Sequence, residues 1–91
     1  MARDQEHVPV GKDWTELTNA EASTVSFQVV AGQVEIRAAG AQPLEEDQGL
    51  RYDYGQGEWA RVMMEYSGGH ARLWARNLHG AGSSTVWVDH A

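Results

Sequence analysis

The stretch HARLWARNLHGAGSSTVWVDH, residues 70–90, decides the fold class. It contains two alternating segments joined by a polar, Gly-containing connection of the kind that closes β-hairpins. The first segment alternates small aliphatic residues with Arg72, Trp74 and Arg76, and the second alternates valines with Trp87 and polar residues. A period of two places successive side chains on opposite faces of a strand. We therefore predict a closing hairpin with an aliphatic face in the core and an outer face that carries Trp.

The same alternation recurs earlier in the chain. Strands are predicted at residues 13–18, 23–30, 33–38, 50–54 and 59–66. The last of these is rich in good helix formers, but eight residues between Gly-rich turns are short for a helix. We expect the second and third to pair as a meander hairpin, and the fourth and fifth to pair with the closing hairpin. About seven short strands with turn signals between them predict an all-β fold, a small antiparallel β-sandwich or barrel.

Two segments lack this alternation. Residues 1–13 are polar except for Val8-Pro9-Val10, and Pro9 opposes regular structure, so we predict an extended N-terminal arm before a single β-domain at 14–91. Such an arm either grips a neighbouring chain or folds on its own domain, and both possibilities stay open. Residues 40–49 form a loop, with Leu44 expected to anchor it in the core.

Composition limits the class of protein. The chain has 91 residues, the size of one domain, and no cysteine, which excludes disulfides and Cys-based zinc sites. The formal net charge is −6 and Lys12 is the single lysine, so concentrated positive charge for nucleic acid or an anionic membrane is missing. Neither a signal peptide nor an apolar run long enough to span a bilayer is found. We expect a soluble protein made in a cytoplasm.

No residue pattern indicates a reaction. The four histidines, His7, His70, His79 and His90, lack the spacing of metal ligands. The acidic run at 45–47 lacks the pattern of a calcium loop, and no Ser lies in a G-x-S-x-G elbow. We therefore predict no catalytic residue, no metal, no cofactor and no enzymatic activity.

Tryptophan and arginine on the predicted outer faces indicate a contact surface. Side chains of these two types are enriched at protein interfaces. Two other interpretations stay open, burial of both faces within the small domain and an aromatic platform for sugars. The predicted partner interface consists of Val8, Pro9, Val10, Trp14, Arg72, Trp74, Arg76 and Trp87.

Three motifs stand in order along the chain. They are DWTELT at 13–18, VEIR at 34–37 before a Pro-containing loop, and LWAR at 73–76 followed by a glycine and VWV at 86–88. Across roughly residues 13–89 this order resembles short all-β structural proteins of tailed bacteriophages.

The resemblance implies a non-enzymatic virion component. It implies a capsid decoration (cement) protein on the outer capsid surface, or a head-fibre or tail-associated module, made in the host cytoplasm. Its partner would be the major capsid protein or another virion protein, with a homo-oligomer, a trimer favoured, on the particle. The alternative is a small carbohydrate-binding or tail- or fibre-associated adhesion module that uses exposed Trp residues.

Overall fold

The computed structural model describes residues 3–62, 72–78 and 82–90, which form an all-β fold without a helix. It contains eight strands: β1 (Arg3–Val10), β2 (Thr15–Glu16), β3 (Thr24–Ala31), β4 (Val34–Ala38), β5 (Leu50–Tyr52), β6 (Gly57–Val62), β7 (Leu73–Asn77) and β8 (Ser84–His90). The ambiguous segment 59–66 is a strand as far as residue 62, and residues 63–66 lie outside the described residues.

The strands form two four-stranded antiparallel sheets, and not a closed barrel. The first sheet has the order β1-β8-β3-β6 and the second the order β2-β7-β4-β5. One apolar core lies between them, so the architecture is sandwich-like. The edge-to-face contact of Phe27 with Tyr52, with ring centroids 5.2 Å apart, joins the two sheets within that core.

Period-two alternation decides which side chains enter the core. In β8 every second residue is buried, from Ser84 through Val86 and Val88 to His90. β7 follows the same rule, with Leu73 and Ala75 fully buried. Burying a side chain such as leucine or phenylalanine contributes roughly 1.5–3 kcal/mol. The inward faces predicted for these strands are therefore confirmed.

The predicted strand pairing is wrong for both hairpins and for the partners of the closing hairpin, since β5 pairs with β4 and β6 pairs with β3. β3 and β4 lie in different sheets, so they do not form a meander hairpin, and β7 and β8 do not form the closing hairpin. Instead β8 lies between β1 and β3, and β7 between β2 and β4. Among the eight described strands, β4 and β5 are the one pair of consecutive strands that lie in the same sheet. The other six of the seven connections therefore cross from one sheet to the other.

The segment predicted as an N-terminal arm is strand β1. It pairs with β8 from Arg3 opposite His90 to Val10 opposite Ser84, so residues 3–10 fold on their own domain. A register shift interrupts this pairing after Arg3, where Gln5 has a φ of 53°. β1 is an edge strand, and it pairs with a neighbour on one side only. Proline is tolerated in such a strand because the N–H that it lacks can be one that faces the open side.

Three crossings meet at one end of the sheets, in a group that we call the crossing cluster: Gly11, Gly32, Gln33, Asn77, Leu78 and Ser84. The backbone N–H of Asn77 donates to the carbonyl of Gly11 at 2.7 Å, and that of Leu78 to the carbonyl of Gln33 at 3.0 Å. The buried Ser84 hydroxyl donates to the same Gln33 carbonyl at 3.1 Å and is hydrogen-bonded to the Asn77 amide. These bonds tie the ends of β1, β3 and β7 to the start of β8.

Gly32 provides a test of the crossing cluster. It has a φ of 78°, and a Cβ built on it would lie 2.2 Å from the Ser84 hydroxyl oxygen. Gly82 has a φ of 77° but nothing within 4 Å of its Cβ position. We expect Gly82→Ala to lower the free energy of unfolding by about 1 kcal/mol, and Gly32→Ala by about 3 kcal/mol, in urea titrations. Equal losses would show that the close approach to Ser84 is unimportant.

Candidate functional site: the outer faces of the two sheets

The outer face of the second sheet is covered by the loop between β4 and β5, residues 39–49, which we call the strap. Arg76 uses all three guanidinium nitrogens beneath it, one on β4 and two on the strap itself. Nε binds the Glu35 carboxylate at 3.0 Å, and Nη1 and Nη2 donate to the carbonyls of Glu45 and Asp47 at 2.7 Å each. The guanidinium also lies 4.5 Å from the centre of the Trp14 ring. This geometry uses the rigid fork and the flat face of arginine together.

Two tryptophans of the predicted interface also bind the strap. The indole N–H of Trp74 donates to the carbonyl of Ala39 at 3.1 Å, and that of Trp14 to the carbonyl of Leu44 at 3.0 Å. Trp14 is buried beneath the strap. The prediction that the Leu44 side chain anchors this loop is wrong, because that side chain is 61% exposed. Its backbone carbonyl is the anchor, and the neighbouring Pro43 is buried.

Four further residues of the predicted interface, on β1 and at the start of β7, have different environments. Arg72 lies 2.7 Å from the carboxylate of Glu16 in an ion pair between β2 and the start of β7. Val8 and Val10 are buried in the core, so their side chains are not available to a partner. Pro9 lies between them on β1 and is exposed.

The outer face of the first sheet carries Trp87. Its cross-strand neighbours are His7 on β1 and Gln28 on β3. The ring of Trp59, from edge strand β6, stacks on that of Trp87 with centroids 6.4 Å apart and planes 8° from parallel. Trp59 is 78% exposed, the most exposed large apolar side chain among the described residues. We call Trp59 and Trp87 the aromatic pair.

A groove of about 460 Å³ lies beside the aromatic pair. It is lined by Phe27, Gln28, Val30, Gly55, Gly57 and Glu58 together with the two tryptophans. The Gln28 side-chain amide donates to the carbonyl of Gly55 at 3.1 Å, which fixes its position at the groove. Flat apolar surface with a small number of fixed polar groups is the usual composition of a binding site.

Sequence reasoning found Trp87 and missed Trp59. The signal was available, because alternation in the strand predicted at 59–66 puts Trp59 on the face opposite the apolar Ala60 and Val62. The structure departs from that pattern at a register shift in β6, where Ala60 has a φ of 51° and its N–H donates to the Ser26 hydroxyl at 2.8 Å. Ala60 and Val62 are exposed as a result.

A second groove, of about 390 Å³, extends the same face of the sheet toward the end of β8. Asp4, Asp89, Arg3 and His90 contribute its charged and titratable groups. Nε2 of the buried His90 accepts a hydrogen bond from the backbone N–H of Asn19 at 3.4 Å.

Neither metal binding nor a membrane span is indicated in the part of the chain that the structure describes. Over residues 3–62, 72–78 and 82–90, no group of three or more His, Cys, Asp or Glu side chains could hold a metal ion. No helix long and apolar enough to cross a bilayer occurs in these ranges. His70 and His79 lie outside the described residues, and His7 is exposed.

No family model, curated protein or solved structure matches this chain.

The Arg76 contacts predict how the strap responds to mutation. Arg76→Lys keeps the charge but loses the fork, so we expect the free energy of unfolding to fall by about 1–2 kcal/mol. Limited proteolysis within residues 39–49 should become faster at the same time. Arg37→Lys is the matched control, because Arg37 makes one bond to the strap, to the Gln48 carbonyl at 2.6 Å, which lysine can replace. Equal cleavage rates in the two variants would contradict this role of Arg76.

Proposed function

We propose that this protein is a non-enzymatic attachment protein that docks onto a larger protein assembly through the outer face of the first sheet. The observation that carries the proposal is the aromatic pair, in which Trp59 is 78% exposed on a strand edge. Large exposed aromatic side chains beside a groove are typical of interaction sites, and tryptophan dominates the energetics of many interfaces. The strap occupies much of the outer face of the second sheet, which leaves less of that face open to a partner.

The assembly that we propose is the virion of a tailed bacteriophage. The chain would be a capsid decoration protein, and its eight-stranded sandwich would bind the major capsid protein. Several copies would bind together, and a trimer is the favoured assembly. The motifs at 13–18, 34–37 and 73–76 support this setting through their resemblance to phage structural proteins. A decoration protein works by multiplicity, because many weak contacts repeated over a shell give a large total. The exposed side of β1, including Pro9, would contribute to these contacts.

Trp59→Ala tests the docking face. The probe is a shell assembled from the major capsid protein of the proposed phage, and the readout is co-sedimentation. Loss of a central aromatic contact costs about 2 kcal/mol or more, so we expect at least about a tenfold loss of affinity. Tyr54→Ala is the control, because Tyr54 is also highly exposed, at 73%, but does not line the groove. Equal effects of the two substitutions, or none, would remove this face from the proposal.

A carbohydrate-binding adhesion module is the second candidate. It is favoured by one observation: two indole planes within 8° of parallel, with the fixed Gln28 amide beside them. Parallel aromatic surface suits the flat apolar face of a sugar ring, and an amide can bond its hydroxyls.

Glycan titration tests this second candidate. Binding at the aromatic pair should change the tryptophan fluorescence of the wild-type protein, and Trp59→Ala should abolish the change. Tyr54→Ala serves as the control here too. Unchanged fluorescence across a panel of neutral and acidic glycans at millimolar concentration would exclude the adhesion module.

A further inference from the structure

The outer face of the first sheet combines aromatic and acidic surface on one strand. Trp87 and Asp89 are two residues apart on β8, so their side chains point to the same side and stand about 7 Å apart. Both are half-buried, in alternation with buried Val86, Val88 and His90. Asp89 therefore stands next to the aromatic pair, and it lines the second groove together with Asp4.

The carboxylates of that groove are not neutralised by the arginine beside them. Arg3 lines the same groove, but its guanidinium pairs with Glu6 at 3.1 Å and donates to the carbonyl of Glu16 at 3.4 Å. Among residues 3–62, 72–78 and 82–90, no ion pair or hydrogen bond involves the side chain of Asp4 or Asp89. Two negative charges thus remain on this face.

The second sheet shows the opposite arrangement. Its outer-face carboxylates Glu16 and Glu35 are paired with Arg72 and Arg76 at 2.7 and 3.0 Å. An arginine thus pairs with each of these two carboxylates of the second sheet, and with neither Asp4 nor Asp89 of the first. With a formal net charge of −6, the whole protein also attracts positively charged partners.

We infer that the outer face of the first sheet binds a basic segment of a partner protein, with an arginine side chain lying on the aromatic pair and pairing with Asp89. The inference rests on the proposed docking function and names the chemistry of its partner. Arginine fits both halves of the face, because its guanidinium stacks on indole rings and binds carboxylates in a fork. Its aliphatic stem covers apolar surface while its charged end reaches polar groups.

A pair of peptides tests the chemistry directly. One carries three arginines spaced by glycine and serine, and the other carries citrulline at the same positions, which keeps the planar shape and removes the charge. Tryptophan fluorescence and calorimetry should show binding of the arginine peptide and at least about tenfold weaker binding of the citrulline peptide. Affinity for the arginine peptide should fall as salt is raised, because the contacts at the surface are screened.

Two substitutions with the same change of charge locate the site. Asp89→Asn should weaken the arginine peptide about fivefold or more, whereas Glu46→Gln, on the strap over the other sheet, should change the affinity less than about twofold. Trp59→Ala should weaken it as well. Unfolding curves establish that both charge variants fold like the wild type. Equal affinities for the two peptides, or equal effects of the two charge variants, would overturn the inference.

The outcomes separate this inference from the docking proposal. If Trp59→Ala impairs capsid binding but the arginine peptide does not bind, the docking proposal stands and the basic partner is excluded. If the arginine peptide binds as expected but Trp59→Ala leaves capsid binding unchanged, the basic partner stands and the docking proposal is excluded. Binding of neutral glycans that is lost in Asp89→Asn, without binding of the arginine peptide, would assign the face to sugars.

Discussion

The crossing cluster is the constraint on which the rest of the structure depends. Between the eight described strands, six of the seven connections pass from one sheet to the other, so the two sheets are interleaved along the chain. Few of these connections are long, and the shortest joins β3 to β4 through Gly32 and Gln33. The Gln33 carbonyl accepts two hydrogen bonds there, from Leu78 and Ser84, and joins two crossings, while the bond from Asn77 to Gly11 adds the third. Long-range contacts of this kind require large loops to close before they form, which slows folding.

Alternation in the sequence predicts the core well and the pairing poorly. The inward positions of β3, β7 and β8 follow from the period of two, because that period depends on the strand alone. The partner of a strand depends on the sheet in which it lies, about which the pattern says nothing, and so both predicted hairpins were wrong. Pro9 concealed β1 for a related reason, since proline is excluded from central strands and tolerated at an edge. The outward direction of Trp59 is also predicted by alternation, from the apolar Ala60 and Val62 that follow it.

The two sheets differ in what their outer faces contact. Trp74 and Arg76 were predicted to meet a partner, and each binds the strap. The sequence shows aromatic and basic residues on an outer face, but it does not show that a distant loop of the same chain returns over them. Among the described residues no loop covers Trp87 in this way, and Trp59 adds to it from the neighbouring edge. A surface prediction made from strands alone is therefore correct only where no long connection folds back on the strand.

The first sheet ends on both sides in a strand with an interrupted ladder. β1 and β6 each have a register shift and one residue with positive φ, Gln5 and Ala60. Such irregularities turn an edge away from the straight, evenly spaced backbone groups that another strand would need. A neighbouring copy therefore cannot simply prolong this sheet. An array that meets at this sheet has to be built from side chains in contact across faces, with spacings set by the thickness of the domain and not by the 4.8 Å repeat of paired strands.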